Sequence, residues 1–351
     1  MSVLLPHFNP SPAFQAGLVL FQTGLFQDAA SKFMEVLQQA PGDPDALQFL
    51  RLCYRRLGTV PKSAKPTLVW QFPPDQTWER DWIRALLRDV VGVEVVDNTW
   101  SHLADPMIVV DNRLVEAKTP YYRRAFEQGC RVVLLHLSDE VFKDDLGAYR
   151  YCDGVIRNCR SDLLAAHRDI FFFPLGYKAG FARTETPKSA ADRKYMWSFA
   201  GDPNKSTRAA MLNAMQKVEG GHCHLTSGFG ASDSLSTDGY RALMDDSVFV
   251  PCPVGWMALE TFRAYEALEA GCIPIVERRA GLDYYTELLG AHPMPTVTSW
   301  DEAAQLVQSL KTACQIERVR SACHAWWQDY KHRLGPDMGV FVKRVFGAET
   351  P

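Results

Sequence analysis

The stretch over residues 247–276, SVFVPCPVGWMALETFRAYEALEAGCIPIV, restricts the fold of this chain more than any other. Val248-Phe249-Val250 is an apolar run suited to a buried strand, and it breaks at Pro251-Cys252-Pro253-Val254-Gly255. Ala258, Phe262, Tyr265 and Leu268 then recur at helical spacing over 258–270, and Gly271 stands where a left-handed residue would end that helix. Cys272-Ile273-Pro274-Ile275-Val276 reads as the next strand. Strand, crossover helix and strand make a βαβ unit of a parallel sheet. The loop 253–259, with Gly255, then lies at the carboxyl end of a strand and at a helix N-terminus, where ligands of open α/β sheets bind. Free N–H groups and the helix dipole favour an anion there, such as a diphosphate. Arg263 and Glu266 are three apart and share a helix face, with Glu260 one turn earlier. A guanidinium grips phosphate oxygens in a bidentate way, and a carboxylate accepts from vicinal sugar hydroxyls. An amphipathic helix with a surface ion pair would show the same spacing.

The chain has 351 residues and 47% hydrophobic content, enough for two domains or a little more. Its net charge of -3 gives no electrostatic reason to expect nucleic acid or an anionic membrane as partner. The start MSVLLPHFNPSP lacks a basic region followed by a long apolar run, and no stretch approaches eighteen consecutive apolar residues. No transmembrane segment and a cytoplasmic location are therefore expected. Nine cysteines are scattered without a Cys-x-x-Cys pair, which reads as reduced core thiols. No metal site is expected; His222-Cys223-His224 is the nearest approach to one.

Residues 13–58 form a unit of their own. Gly17, Leu20, Gly24, Ala29, Phe33 and Pro41 fit a tetratricopeptide repeat, and Leu47, Leu50, Tyr54 and Gly58 restart the pattern. One and a half repeats cannot bury their apolar face alone. They are expected to cap the body, to pack on a second subunit in a homodimer, or to recruit a protein partner. The expected division is a helical segment over 1–62, a first Rossmann-like domain over 63–187, a second over 188–318, and C-terminal helices over 319–351 packing across both. A linker is expected at 59–66 and a hinge at 178–194.

The first domain reads as strands near 68–72, 93–96, 106–110, 131–135, 154–156 and 170–173, with helices over 78–91 and 120–128. It lacks a G-x-G-x-x-G fingerprint, which argues against a dinucleotide oxidoreductase. Its carboxyl-end loops carry Asp111, Asp139 and Glu140, where catalytic groups of α/β folds collect, although a helix cap explains any one of them equally well. The second domain opens with a strand over 195–200, the loop Gly201-Asp202-Pro203-Asn204-Lys205-Ser206-Thr207-Arg208, and a helix. This loop again points backbone donors and cations at one place, but a Walker P-loop needs glycine where Asn204 stands. Two last helices are expected over 319–333 and 337–346.

The segment TFRAYEALEAGCIPIV resembles the R-x-x-E-A-x-x-x-G-C-I-P-V signature of exostosin-type glycosyltransferases, with Arg263, Glu266, Ala267, Gly271, Cys272, Ile273 and Pro274 in place. HLSDE, YRYCDGVIRN, PLGYKAGF and SFAGDPNKSTR extend the resemblance, toward the xylosyltransferase branch, over about 130–280. The resemblance implies a GT-B architecture of two Rossmann-like domains facing a cleft. It implies inverting transfer from a nucleotide sugar, a UDP-sugar first, without a metal or other cofactor, as in polysaccharide biosynthesis. Gly201, Lys205, Ser206, Arg208, Gly255, Glu260, Arg263 and Glu266 would bind the donor, with Arg263, Lys205 and Arg208 at its diphosphate and Glu266 at its ribose. The base would be Asp139 first, then Glu140 or Asp111, and the acceptor a glycan, a lipid-linked precursor or a protein. Animal members carry a membrane anchor where this chain has its helical start. Two other readings are a kinase or sulfotransferase using Gly201–Arg208, and an inactive scaffold.

Overall fold

The computed structural model describes residues 11–167, 169–182, 186–228, 230–255, 257–279 and 281–347. The chain begins with three helices, α1 (Pro12–Gln22), α2 (Phe26–Gln39) and α3 (Pro44–Leu57), each packed on the next. Ser11 and Asp43 side chains accept from the first-turn N–H groups of α1 and α3, as good N-caps do. Gly17 is small for a reason: a Cβ there would come within 2.8 Å of the Phe33 ring. The apolar face of the three helices closes on Phe126 of this chain's own body, so they cap it. Arg51 and Arg55 reach Asp153, whose other carboxylate oxygen accepts the Val132 N–H at 2.7 Å.

The first sheet is built from β1 (Lys62–Trp70), α4 (Arg80–Leu87), β2 (Val93–Val96), β3 (Asp105–Asn112), α5 (Thr119–Glu127), β4 (Val132–Leu137), β5 (Gly154–Arg157), α6 (Asp162–Ala165) and β6 (Ile170–Phe172). Its strands run in the order β2-β1-β3-β4-β5-β6, all parallel. The middle strands are buried on both faces, which is why they read as unbroken apolar runs. The expected linker at 59–66 is a correction: β1 already begins at Lys62, and a register shift before Thr67 accommodates Pro66, which has no N–H to give the ladder.

The second sheet follows with β7 (Tyr195–Gly201), α7 (Arg208–Met215), β8 (Gly221–Leu225), α8 (Thr237–Asp245), β9 (Ser247–Cys252), α9 (Phe262–Glu269), β10 (Ile273–Glu277), α10 (Tyr284–Leu289), β11 (Thr296–Val297) and α11 (Trp300–Ser309). The order is β11-β10-β9-β7-β8, again all parallel. The unit read from 247–276 is β9-α9-β10, and Gly271 ends its helix at φ 66. The helix starts later than its apolar spacing suggests, with Thr261 as N-cap, so Glu260 precedes it.

Of the expected hinge at 178–194, the end is fixed by Arg193. Its buried guanidinium donates to the backbone carbonyls of Lys188, Met244, Ser247, Ala270 and Gly271. The two helices expected at the C-terminus are one, α12 (Ala313–Gly347), with Pro336 inside it. Proline removes one ladder bond. Packing on α4 compensates: Gly335 lies so close that a Cβ would meet the Leu86 carbonyl at 3.2 Å, and Leu334 and Met338 are buried on either side. α12 begins in the second domain and crosses back over the first. Trp327 stacks on Trp82 at 5.5 Å and donates to Glu269 at 2.7 Å, while Arg344 further along pairs with Asp169. Among the described residues no helix is long and apolar enough to cross a membrane.

Candidate functional site

At the carboxyl end of β7 the chain turns through Gly201, φ 141, into the loop that leads to α7. Two guanidiniums converge there on one phenyl ring. Arg263, from α9, lies 4.5 Å from the Phe199 centroid and donates to the Ala200 carbonyl at 2.7 Å and the Tyr240 hydroxyl at 3.2 Å. Arg208, at the start of α7, lies 5.8 Å from the same ring and donates to the Asp202 carbonyl at 2.9 Å. A Cβ on Gly201 would stand 3.2 Å from Arg263 Nη2 and 3.6 Å from Arg208 Nη1, so both guanidiniums lie directly against this turn, whose φ of 141 favours glycine.

Among the described residues neither guanidinium forms a salt bridge with a carboxylate, and the electrostatics register the crowding. Burial, and then the charge of Arg263, bring Arg208 down to about 10. Lys205 is lowered by burial and by Arg208, while Glu140 of the first domain opposes the shift. Arg263 moves the other way: burial opposes its charge, but Tyr240, Cys252 and Glu266 outweigh that cost. Ser206 is exposed in the same loop at φ 53, and half-buried Gly255 lies in the loop after β9. Those two loops are knotted by Glu277, at the end of β10, whose Oε2 accepts from the Thr207 hydroxyl at 2.7 Å and the Val254 N–H at 2.9 Å. Sequence spacing gives no sign of Glu277, Phe199 or Tyr240; their common location is created by strand order.

Glu266 stays with the cluster, buried near Arg263 and accepting the Lys178 N–H, and burial pushes it up to about 7. Glu260 leaves it, against expectation. Lying before the helix, Glu260 turns toward the first domain, where its carboxylate accepts from the Leu175 N–H at 2.8 Å, the Tyr265 hydroxyl at 2.5 Å and the Tyr284 hydroxyl at 2.9 Å. It fastens the domains together.

The three first-domain carboxylates separate clearly. Asp111 is fully buried and holds Lys118 at 2.7 Å, Tyr122 at 2.9 Å and the Asn112 N–H at 2.7 Å. Asp139, favoured from sequence, is also buried; it pairs with Arg157 at 3.1 Å and accepts the Lys143 N–H at 2.9 Å. Both do structural duty in the sheet's carboxyl-end loops. Glu140 alone is partly open, and its charge acts on Lys205 and Glu260 across the domain boundary. Among the described residues no group of three or more His, Cys, Asp or Glu is placed to hold a metal ion, and His222 stacks on Tyr195 at 4.5 Å.

Comparison with known proteins follows the same division. The RXYLT1 C-terminal domain family matches residues 178–346, which span the second sheet and α12. No curated protein matches the chain significantly in sequence. Among solved structures, Anabaena Alr3699/HepE in complex with UDP and glucose aligns with a TM-score of 0.52 at 10% identity, over 80% of this chain and all of that one (100%). An α1,3-fucosyltransferase aligns at TM-score 0.49 and 12% identity, over 85% of this chain and 95% of that one. A Thermobaculum terrenum O-GlcNAc transferase mutant aligns at TM-score 0.47 and 11% identity, over 96% of this chain and 85% of that one. Two parallel-sheet domains joined by a crossing C-terminal helix are the GT-B architecture, and in this chain its second half is similar to the RXYLT1 C-terminal domain.

Proposed function

We propose that the protein is an inverting glycosyltransferase that holds a nucleoside-diphosphate sugar, uridine diphosphate sugar first, against the second domain. The observation that carries this reading is the pair of guanidiniums over Phe199, with Gly201 between them and Lys205 nearby. A relative of the same fold is described in complex with UDP and glucose, and the matched family is consistent with sugar transfer.

The chemistry follows from charge. An acceptor hydroxyl oxygen attacks the anomeric carbon from the face opposite the diphosphate. The bond from that carbon to the diphosphate oxygen breaks, and its electron pair leaves on the diphosphate. Preorganised cations stabilise charge that develops in such a transition state, and here Arg208, Arg263 and Lys205 take that part without a metal ion. The hydroxyl proton goes to Glu140, the first-domain carboxylate that is partly open and whose charge reaches Lys205 of the second domain. Glu266, buried beside Arg263, would orient the nucleoside, with Ser206 and Gly255 bordering the site.

Titration calorimetry with UDP tests the donor half. Wild type is expected to bind, and Arg263→Ala and Arg208→Ala to bind at least tenfold more weakly, each losing about 2–4 kcal/mol of charge-assisted contact. Glu140→Gln is expected to bind UDP like wild type and to lower transfer to acceptor by about 10²–10⁴-fold. Equal UDP binding by the arginine variants, or stabilisation by ATP or a sulfate donor in place of UDP, would sink the proposal.

A further inference from the structure

A cavity of about 910 Å³ lies away from the cation cluster. It runs between α4 and the C-terminal half of α12 and reaches the amino ends of β1, β3 and β4, the opposite edge of the first sheet from the loops that carry Asp111 and Glu140. Its floor is apolar: Leu86, Val342 and Phe346 are buried there, and Gly335 and Gly339 let α12 lie close against Leu86 and Val90. Its rim is basic.

Five of the lining side chains are Lys65, Arg131, Lys331, His332 and Lys343, against one acid, Asp89. Two of the cations are already answered, Arg131 by Asp105 at 2.8 Å and Lys331 by Glu269 at 2.7 Å. Lys65 finds a backbone carbonyl, that of Asp89, at 3.2 Å, and Lys343 has no ion pair or hydrogen bond among the described residues. The cavity volume lies in the range of small-molecule sites, and such sites combine an apolar lining with a few fixed polar groups. Apolar floor and unanswered rim cations call for one ligand chemistry.

We propose that this groove binds an anionic amphiphile, with its single apolar chain over Leu86, Val342 and Phe346 and a carboxylate or phosphate head between Lys65 and Lys343. The site is separate from the donor cluster and does not depend on the function assigned to it. Charge decides the head and the floor decides the chain, so neither half of the molecule suffices alone. Burial of the chain contributes most of the affinity, and the head group sets the selectivity.

The test is titration calorimetry on the full chain with dodecyl phosphate below its micellar concentration, beside dodecyl maltoside and inorganic phosphate. Saturable binding of dodecyl phosphate at one site is expected, at least tenfold tighter than either comparison ligand. The double variant Lys65→Glu, Lys343→Glu changes two exposed side chains, so it is expected to fold normally, to bind UDP like wild type and to lose the preference for phosphate over maltoside. Equal binding of the charged and neutral amphiphiles, or a double variant that still prefers the phosphate, overturns the proposal. So does a dimer in sedimentation that dissociates when the same two lysines are reversed, because the groove would then be occupied by a second copy of the chain.

Discussion

At Gly201 a positive φ that favours glycine turns the chain directly under two arginines that share one phenyl ring. Arg263 and Arg208 were legible in the sequence because their chemistry and their distance from a strand end are local properties. Phe199, Tyr240 and Glu277 were not, because nothing near them in sequence says what they will touch. The same limit applied to the carboxylates, since Asp139 and Glu140 are adjacent and chemically alike, and only burial against Arg157 separates them. Burial also marks Glu79, just ahead of α4, whose carboxyl is pushed up from 4.5 to about 7 by desolvation and by Glu260. The folded state therefore holds this proton more tightly than the unfolded chain does. Its contribution is fully present below pH 4.5, is lost as pH rises toward 7, and stays lost above that. Melting temperatures of wild type and Glu79→Gln across this range are expected to show it: the variant gains on wild type as pH rises, by an amount on the order of 1–3 kcal/mol above pH 7. A difference that does not change with pH would show that Glu79 titrates normally.

At the scale of elements, the parallel strands and the β9-α9-β10 unit followed from short-range signals: apolar runs, a break, helical spacing and a glycine cap. Boundaries and continuity were harder. The apolar spacing over 258–270 placed the α9 start too early, and Gly335-Pro336 looked like a stop although α12 passes through it. A lost ladder bond costs about 3 kcal/mol in an isolated helix, but α12 is held by its partners. Leu334, Met338 and the Trp327–Trp82 stack anchor it to the first domain, and Trp327 also satisfies the buried Glu269. Trp327→Ala is expected to destabilise the protein by about 3–5 kcal/mol in chemical denaturation, through the cavity it opens and the hydrogen bond it removes. A loss below 1 kcal/mol would mean that α12 is held elsewhere.

Across the whole molecule the two domains share one continuous apolar core and a set of specific polar contacts. Tyr284 is central to them: its hydroxyl donates to Glu260 and accepts the Arg160 N–H at 3.0 Å, and Arg160 also pairs with Glu287. Tyr284→Phe removes both hydroxyl contacts while leaving the ring packed. The variant is expected to scatter X-rays with a larger radius of gyration than wild type without UDP, to approach wild type with UDP bound, and to raise KM for the donor with little change in kcat. An unchanged radius in both states would show that the domains stay together without this clasp. The sequence by itself determined the layers: most of the strands and helices, that the sheets are parallel, and that Arg208 and Arg263 stand near strand ends of the second sheet. Those properties depend on period, caps and turn residues within one segment, so they can be read locally. Only the tertiary structure decided which charges face the cleft and which are spent on structure, because an oxygen's role depends on the donors brought to it from distant parts of the chain. Glu260 meets Leu175 and Asp139 meets Arg157 for that reason, and the basic groove beside α12 exists only where three separate strand ends and two helices come together.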